Sequence, residues 1–453
     1  MIAVMCDVHH GDCLAVLQAM PDNSVDSIVT DPPYGLSNTD PKHVAETLTK
    51  WVTGDHEYTP PAKGGFMGKT WDSFVPPPAV WIECLRVLKP GGHMAVFAGS
   101  RTQDLMGLSI RLAGFEIRDS LAWIYGSGFP KSMDVSKAID KAAGAEREVV
   151  GHKGGRYNYA FTENSGAPMG SISPRENSPE NKAASGAITA PATPEAERWA
   201  GWGTALKPAI EPVLLARKPL DGTVAGNVLE WGTGGLNIDA SRVEAGDLEE
   251  LQKNWDRTQS ANQGIASTGL AQIDLSDRKP SGRWPANVLL DPEAAAAMDQ
   301  QSGWQKDAIT VNRNRPEGGS WCDASSWDKP KQRGPNQSYG GGGGASRFFP
   351  VFKYQAKAPK RERPVIERAD GTKIQHPTVK PLALLEWLVT LITPPGGTVL
   401  DPFAGTGTTL QAARDKGFRS IGIEADADHV ALIRERLEQG SGEPDLFTCG
   451  SDG

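Results

Sequence analysis

The sequence has few cysteines, and their arrangement excludes two kinds of scaffold. Five cysteines are scattered along 453 residues, and no two of them form a Cys-x-x-Cys pair. This pattern supports neither a disulfide framework nor a zinc cluster, so we expect no metal site. Unpaired cysteines of this kind are typical of a reducing cytoplasm. The five are Cys6, Cys13, Cys84, Cys322 and Cys449.

Long apolar runs are also lacking. The most apolar helical candidate, residues 382–392, contains Glu386 and has about half the length that a bilayer requires. Residues 1–7 have neither a basic segment nor a long apolar run, so we expect no secretory signal. These features predict a cytoplasmic protein that has no membrane partner.

The chain has no overall excess of positive charge, which counts against a nucleic-acid partner. Its formal net charge is -8 at pH 7. The charge is uneven, however, because residues 346–380 carry nine basic and three acidic side chains. A segregated basic stretch can bind phosphates even in an acidic protein, and a solvated surface run is the alternative. The basic residues are Arg347, Lys353, Lys357, Lys360, Arg361, Arg363, Arg368, Lys373 and Lys380.

Short apolar strands alternate with helical patterns at the two ends of the chain. Such alternation predicts an α/β fold with a mostly parallel sheet that both ends build together. The predicted strands cover residues 25–30, 94–98, 120–125, 398–401 and 419–423. The predicted helices cover residues 79–88, 103–113, 380–392, 408–416 and 427–437.

The middle of the chain has a different character. From about residue 151 to 345 it is rich in Gly, Pro, Ser, Asn and Trp and shows little periodicity, apart from two strand-like runs at 213–216 and 286–290. Residues 155–200 and 305–345, which include five consecutive glycines, are predicted to be partly mobile. Because the chain is too long for one ordinary core, we expect a large insertion here.

A glycine-rich turn, residues 401–409, directly follows a predicted strand and opens a predicted helix. Glycines let the backbone approach a ligand, and a helix N-terminus offers free N–H groups. Glu424 lies seventeen residues after Gly407, at the end of the next strand, where an acid suits hydrogen bonds to ribose hydroxyls. The turn lacks the P-loop ending and the full dinucleotide fingerprint, and a simple strand–helix connection is the alternative.

The sequence Asp31-Pro32-Pro33-Tyr34 ends the first predicted strand. An amino group on a base is a poor nucleophile because its lone pair is delocalised into the ring. If the Asp31 carboxylate accepts one N–H and the Pro32 carbonyl the other, they stabilise the positive charge that develops on the nitrogen. The prolines fix the backbone, and the Tyr34 ring offers a face on which an extruded base can stack. An ordinary turn is the alternative.

Both motifs follow predicted strands, at the edge where open α/β sheets bind ligands. In this arrangement the sequence resembles the amino-group DNA methyltransferases, which act on N6 of adenine or N4 of cytosine. The order of the motifs resembles the permuted group, in which the Asp-Pro-Pro-Tyr half precedes the Phe-x-Gly-x-Gly half. Three further segments match the family, at residues 11–12, 376–381 and 421–424. The resemblance covers about residues 5–130 and 347–438.

The resemblance implies a three-layer, Rossmann-like core of the S-adenosylmethionine-dependent methyltransferases, with a large inserted recognition region. The resemblance divides the chain into four segments. Residues 1–140 form the catalytic half, 141–345 a partly flexible target-recognition insertion, 346–438 the cofactor-binding half, and 439–453 an acidic tail.

The resemblance also implies the roles of individual residues. Asp31, Pro32, Pro33 and Tyr34 are the predicted catalytic residues that hold the target base, and residues 123–131 lie near it. Asp12 has helix capping as its alternative, and His376 is interpreted as structural. The predicted cofactor-binding residues are Asp12, Thr378, Lys380, Asp401, Phe403, Gly405, Gly407, Thr408 and Glu424.

The predicted activity is transfer of a methyl group from S-adenosyl-L-methionine to N6 of adenine in double-stranded DNA, with base flipping. Asp at the start of the catalytic motif favours adenine, because family members that act on cytosine N4 more often carry Ser. Three alternatives stay open: a cytosine-N4 enzyme, a methyltransferase for RNA or a protein amide, and an inactive DNA-binding module. A homodimer and a companion restriction endonuclease are also left open as partners.

Overall fold

The structure is a computed structural model, and it describes residues 5–36, 40–61, 72–126, 128, 132–152, 187–243, 282–306, 309–310, 337–338, 342–352, 365–367, 373–374 and 379–439. The chain divides into two compact units. Unit 1 contains Met1–Ser127 and Ala209–Gly453, and unit 2 contains Gly128–Pro208.

The described residues contain ten strands longer than two residues and eleven α-helices. The strands are β1 Cys6–His10, β2 Val25–Thr30, β3 Leu88–Phe97, β4 Glu116–Ile124, β5 Val149–His152, β6 Ala187–Thr189, β7 Ile210–Arg217, β8 Val288–Leu290, β9 Thr398–Asp401 and β10 Arg419–Glu424. The helices are α1 Cys13–Ala19, α2 Pro41–Val52, α3 Pro78–Val87, α4 Gln103–Leu112, α5 Val135–Ala142, α6 Pro194–Arg198, α7 Val224–Trp231, α8 Pro292–Ser302, α9 Leu382–Ile392, α10 Thr408–Asp415 and α11 Ala427–Gln439.

Shorter elements complete the described secondary structure. Two 3-10 helices cover Asp239–Ser241 and Ala345–Phe348. Three two-residue antiparallel pairings join Gln305–Lys306 to Gly342–Gly343, Ile309–Thr310 to Gln337–Ser338, and Ile366–Glu367 to Lys373–Ile374.

Eight strands form the central sheet of unit 1, in the order β1-β10-β9-β2-β3-β7-β4-β8. β7 runs antiparallel to β3 and β4, and the other neighbouring strands are parallel. The predicted α/β class with a mostly parallel sheet is therefore confirmed. Parallel strands are covered on both faces, so they appear in the sequence as continuous apolar runs.

Helices cover both faces of this sheet and give the three layers that the sequence predicts. Successive strand residues point to opposite faces: Ile28 packs with α1, α3 and α4, whereas its neighbour Val29 packs with α9 and α10. α9 is apolar around most of its circumference, and Leu384, Leu388 and Ile392 are buried in the second layer. None of the helices in the described parts of the chain is long and apolar enough to cross a membrane.

The predicted insertion, residues 141–345, contributes two strands to the sheet. β7 lies inside the sheet between β3 and β4, and β8 pairs with β4 at one edge. Both strands are visible in the sequence as apolar runs. Their partner strands lie far away along the chain, so the local sequence does not indicate their positions in the sheet. Residues 128–208 form the compact unit 2. A role of 141–345 in target recognition stays a prediction.

Unit 2 is held together around a buried carboxylate. Asp140 of α5 accepts hydrogen bonds from the backbone N–H groups of Ala192 and Thr193 at 3.0 and 3.1 Å, and from the Thr193 hydroxyl at 2.8 Å. The Arg147 guanidinium pairs with the same carboxylate. Polar groups buried in this way must be satisfied, and this network joins α5 to the start of α6. Much of the sequence that is predicted to be mobile, including 155–186 and 311–336, lies outside the described residues.

Candidate active site

The two sequence motifs meet at one edge of the sheet. Parallel strands β1, β2, β9 and β10 all end at this edge, which is where open sheets bind ligands. A cavity of about 770 Å³ opens there. It is lined by residues of both motifs and by residues of other strands and loops of unit 1. They include Asp12, Asp31, Tyr34, Asp72, Trp123, Glu211, Lys380, Phe403, Gly405 and Glu424.

The glycine-rich turn forms one part of the cavity wall. The backbone N–H of Gly405 donates to Glu424 Oε2 at 2.8 Å, and the N–H of Asp426 donates to Oε1 at 2.9 Å. These bonds hold the Glu424 carboxylate at the end of β10 and leave it lone pairs for a ligand hydroxyl. Gly405 and Gly407 have φ angles of 54° and 75°, a region that residues with a side chain rarely adopt.

Two predicted cofactor residues also make structural contacts. Asp12 caps α1 by accepting the Ala15 N–H at 3.1 Å, which is the alternative that the sequence left open, and it also lines the cavity. Asp401 is buried, and its Oδ1 accepts the Thr30 hydroxyl at 2.7 Å and the Phe403 N–H at 3.1 Å. It therefore ties β2 to β9 below the turn. Thr378 lies outside the described residues.

Burial raises the pKa of the Asp401 carboxyl to about 6, although the hydrogen bonds from Thr30, Thr409 and Phe403 oppose this shift. The folded protein thus holds this proton more tightly than the unfolded chain, so stability is lost as the pH rises through 6. Asp401→Asn keeps an oxygen acceptor but cannot titrate. Between pH 4 and pH 7 we expect the free energy of unfolding of wild type to fall by up to about 3 kcal/mol relative to that of Asp401→Asn. Urea unfolding at both pH values measures this, and equal pH dependence in the two proteins would contradict it.

The catalytic motif forms a compact polar cluster with Glu211 and Lys380. The Lys380 ammonium lies 2.8 Å from Asp31 Oδ2, 2.8 Å from Glu211 Oε1 and 3.0 Å from the Tyr34 hydroxyl. The Tyr34 hydroxyl in turn lies 2.7 Å from Asp31 Oδ1 and 2.5 Å from Glu211 Oε1. The structure thus places Lys380, a predicted cofactor residue, beside the residue that is predicted to hold the base.

The charges in this cluster support one another. Burial lowers the pKa of the Lys380 ammonium, but the facing Asp31 and Glu211 carboxylates outweigh burial and raise it above its usual value. Lys380 is therefore charged at neutral pH. Burial, followed by the same two carboxylates, raises the pKa of the Tyr34 phenol well above its usual value, so Tyr34 is neutral.

A second acid that the sequence did not reveal holds the catalytic loop. Asp72 Oδ1 accepts the backbone N–H groups of Tyr34 and Gly35 at 2.7 and 3.0 Å, and the Thr102 hydroxyl donates to the Tyr34 carbonyl at 2.6 Å. Gly35 has a φ of 65°, and a Cβ there would lie 2.8 Å from the Val75 nitrogen. No local pattern marks Asp72, and Glu211 lies just before the strand-like run at 213–216 without belonging to it.

The predicted basic stretch is only partly described. Lys380 belongs to the catalytic cluster, and Arg347 donates to the Gly343 and Gly344 carbonyls at 2.6 and 2.7 Å. The other basic residues lie outside the described residues or, for Lys373, have an undescribed side chain. Binding of DNA phosphates by this stretch stays a prediction.

Comparisons with known proteins give short but significant matches. The type II methyltransferase M2.DpnII of Streptococcus pneumoniae is 45% identical over 64 residues, which are 14% of this chain and 24% of that protein. The DNA adenine methyltransferase YhdJ of Escherichia coli K12 is 42% identical over 66 residues, or 15% of this chain and 22% of that protein. The chain thus spans about a quarter of the length of these curated relatives.

Similarity to solved structures extends further along the chain but is weaker. The cytosine-N4-specific PvuII DNA methyltransferase aligns with 96% of this chain and 87% of its own, at 13% identity and a TM-score of 0.39.

The family match covers most of the sequence. The N6/N4 family of DNA methylases matches residues 25–435, a range that contains both motifs and seven of the eight sheet strands. The family that the sequence resembles is therefore confirmed, while membership of its permuted group stays a prediction. Because the match includes the catalytic motif, the glycine-rich turn and the strands that present them, the chain belongs to the N6/N4 DNA methylase family.

Proposed function

We propose that this protein is an S-adenosylmethionine-dependent DNA methyltransferase that methylates N6 of adenine in double-stranded DNA. One observation carries the proposal: Asp31 and Glu424, from the two separate motifs, line the same cavity. The Asp31 carboxylate is available to the amino group of a base, and the Glu424 carboxylate is available to the ribose hydroxyls of the cofactor. The cavity therefore offers one acidic group to each of the two substrates.

The cavity has the chemistry that S-adenosylmethionine requires. Glu424 is fixed by two backbone N–H groups at the end of β10. Gly405 lines the cavity, and Gly407 follows it in the same turn with a φ of 75°. Phe403 adds an apolar wall beside Trp81, with ring centroids 6.3 Å apart. When bound, this cofactor supplies a sulfonium methyl group. Asp12, Asp401 and Thr408 also line the cavity, and Thr378 and Lys380 complete the proposed cofactor set.

Asp31 and Pro32 act on the amino group of the base. The Asp31 carboxylate would accept one N–H and the Pro32 carbonyl the other, which frees the nitrogen lone pair for the methyl group that the bound cofactor would supply. The methylated nitrogen would then lose one proton to a carboxylate of the pocket. A fixed negative charge where positive charge develops is an effective form of catalysis, and orientation of the two reactants adds to it.

An amino group inside duplex DNA is out of reach of this cavity, so the base must be extruded. The Tyr34 ring, which its hydroxyl bonds hold in place, offers a face for the extruded base, as base-flipping enzymes require. Asp at the first position of the catalytic motif favours adenine N6, and the relative YhdJ, by its name, acts on adenine. The homodimer and the companion endonuclease stay predictions.

Methyl transfer from labelled cofactor tests the proposal. Purified protein is incubated with S-adenosylmethionine that carries a tritiated methyl group and with duplex DNA, RNA or protein extract in parallel. We expect label in DNA, and as N6-methyladenine after digestion to nucleosides. Label in N4-methylcytosine would agree with the family but contradict adenine as the target base. Label only in RNA or protein would contradict DNA as the substrate. Cofactor binding without transfer would favour an inactive DNA-binding module.

A further inference from the structure

Glu211 lies in the catalytic cluster, although it belongs to neither sequence motif. It is the second residue of β7, and its side chain is 17% exposed, compared with 13% for Lys380 and 31% for Asp31. Ion pairs shielded from water in this way interact more strongly than exposed ones. Lys380 is shared equally, at 2.8 Å from one oxygen of each carboxylate.

The charges of the cluster explain why a second carboxylate is useful. Asp31 and Lys380 alone form a neutral pair, which has little to offer an amino nitrogen that becomes positive. With Glu211, the cluster carries two negative charges and one positive charge, a net charge of −1. Other acids also line this cavity, but Asp31 and Glu211 are the carboxylates that pair with Lys380. The other acids are Asp12, Asp72, Asp401, Glu424 and Asp426.

The protons of the cluster lead to the same conclusion. Five hydrogen-bonding pairs join Asp31, Tyr34, Glu211 and Lys380. The Lys380 ammonium supplies three protons and the Tyr34 phenol supplies one, so the five pairs share four protons. One of the two pairs between the Tyr34 oxygen and a carboxylate therefore has no proton between its oxygens. The cluster therefore has room for one more proton.

We propose that Glu211 is a positioning residue that keeps the catalytic cluster at a net charge of −1, so that Lys380 can hold Asp31 in place without cancelling its charge. This inference rests on the proposed function. As the amino nitrogen is methylated, its N–H bond breaks and an O–H bond forms within the Asp31–Tyr34–Glu211 group. The cluster is then neutral until the proton passes to solvent.

Charge removal and charge rescue test this role. At saturating S-adenosylmethionine and DNA, we expect Glu211→Gln to lower the single-turnover rate about 10- to 100-fold, each factor of ten being 1.36 kcal/mol. The double variant Glu211→Gln with Lys380→Met restores the net charge of −1. Because Lys380 also holds Asp31, the reference for the double variant is Lys380→Met alone, whose cluster carries a net charge of −2. We expect the double variant to react within about threefold of this reference. A purely structural role of Glu211 predicts the same loss of about 10- to 100-fold in both backgrounds, and that result would overturn the proposal.

The stability of the ligand-free protein gives an independent readout. Lys380→Met removes the cation that the Asp31 and Glu211 carboxylates share, so it should lower the urea midpoint of unfolding. Glu211→Gln should lower the midpoint in the wild-type background, where it breaks an ion pair, and raise it in the Lys380→Met background, where it removes a like charge. Equal effects of Glu211→Gln in the two backgrounds would show that the charges are not coupled.

The two experiments distinguish the proposed function from the role of Glu211. If wild-type protein transfers no methyl group to DNA, the proposed function fails, and the unfolding experiment still decides whether Glu211 and Asp31 are coupled through Lys380. If wild-type protein methylates DNA and Glu211→Gln does so at the same rate, the proposed function stands and the role of Glu211 is wrong.

Discussion

Asp31→Ala is expected to lower the rate of methyl transfer by about a hundred- to a thousandfold, the usual effect of removing one group that stabilises developing charge. Its affinity for S-adenosylmethionine should stay within a few-fold of wild type. The reason is the separation of roles in the cavity: Asp31 contacts Tyr34 and Lys380, whereas Glu424 is bonded to the glycine-rich turn. Single-turnover kinetics and calorimetry measure the two quantities.

Asp31→Asn is the matched variant for this experiment. It preserves the shape of the side chain and an oxygen that can accept one N–H, but it removes the charge. We expect a rate between those of wild type and Asp31→Ala. A folded Asp31→Ala protein that no longer binds the cofactor would place Asp31 in the cofactor site and overturn its assignment to the base.

Gly407→Ala is expected to weaken S-adenosylmethionine binding at least tenfold. Gly407 caps α10 with a φ of 75°, and a Cβ there would lie 2.9 Å from Ile433 Cγ2. An alanine must therefore shift the turn or displace α11, and either movement disturbs the backbone beside Glu424. A loss of tenfold is about 1.4 kcal/mol, which is comparable to the strain of a side chain in this region.

Gly417→Ala provides the control, because it lies just after the other end of the same helix. Gly417 has a φ of 80°, but no atom lies within 4 Å of the position that its Cβ would take. Both variants carry similar backbone strain, but only the Gly407→Ala side chain meets Ile433, so only Gly407→Ala should lose cofactor affinity. If calorimetry gives the same affinity for both variants, the turn does not form the cofactor site.

The sequence predicts the elements that are buried and local. β2, β9 and β10 are apolar runs that end at Pro, Gly or an acid, and the structure has them within one or two residues of the predicted bounds. β1 was not predicted, because this edge strand, with the sequence CDVHH, is mostly exposed and lacks an apolar run. α1 and α2 were missed as well.

The parts of the site that could not be predicted depend on contacts between distant segments. Glu211 reaches Lys380 only because β7 inserts beside β3, with Phe97 paired to Val213. Asp72 reaches the catalytic loop across 38 residues of sequence. Neither position is marked by local spacing, since sheet order is decided by pairing between segments far apart. The two motifs, by contrast, carry their chemistry within a few consecutive residues.

The pairing of β4 with β7 has a consequence for the segment that connects them. The chain leaves the sheet after Ile124 and returns at Ile210, and these two residues are direct partners, with the Tyr125 N–H donating to the Ala209 carbonyl at 3.0 Å. The segment between β4 and β7 thus begins and ends at paired residues that the sheet already holds together. Doubling the length of such a loop costs only about 0.6 kcal/mol. The sheet therefore closes this segment at its two ends, and we expect insertions within the segment to cost the central sheet little stability.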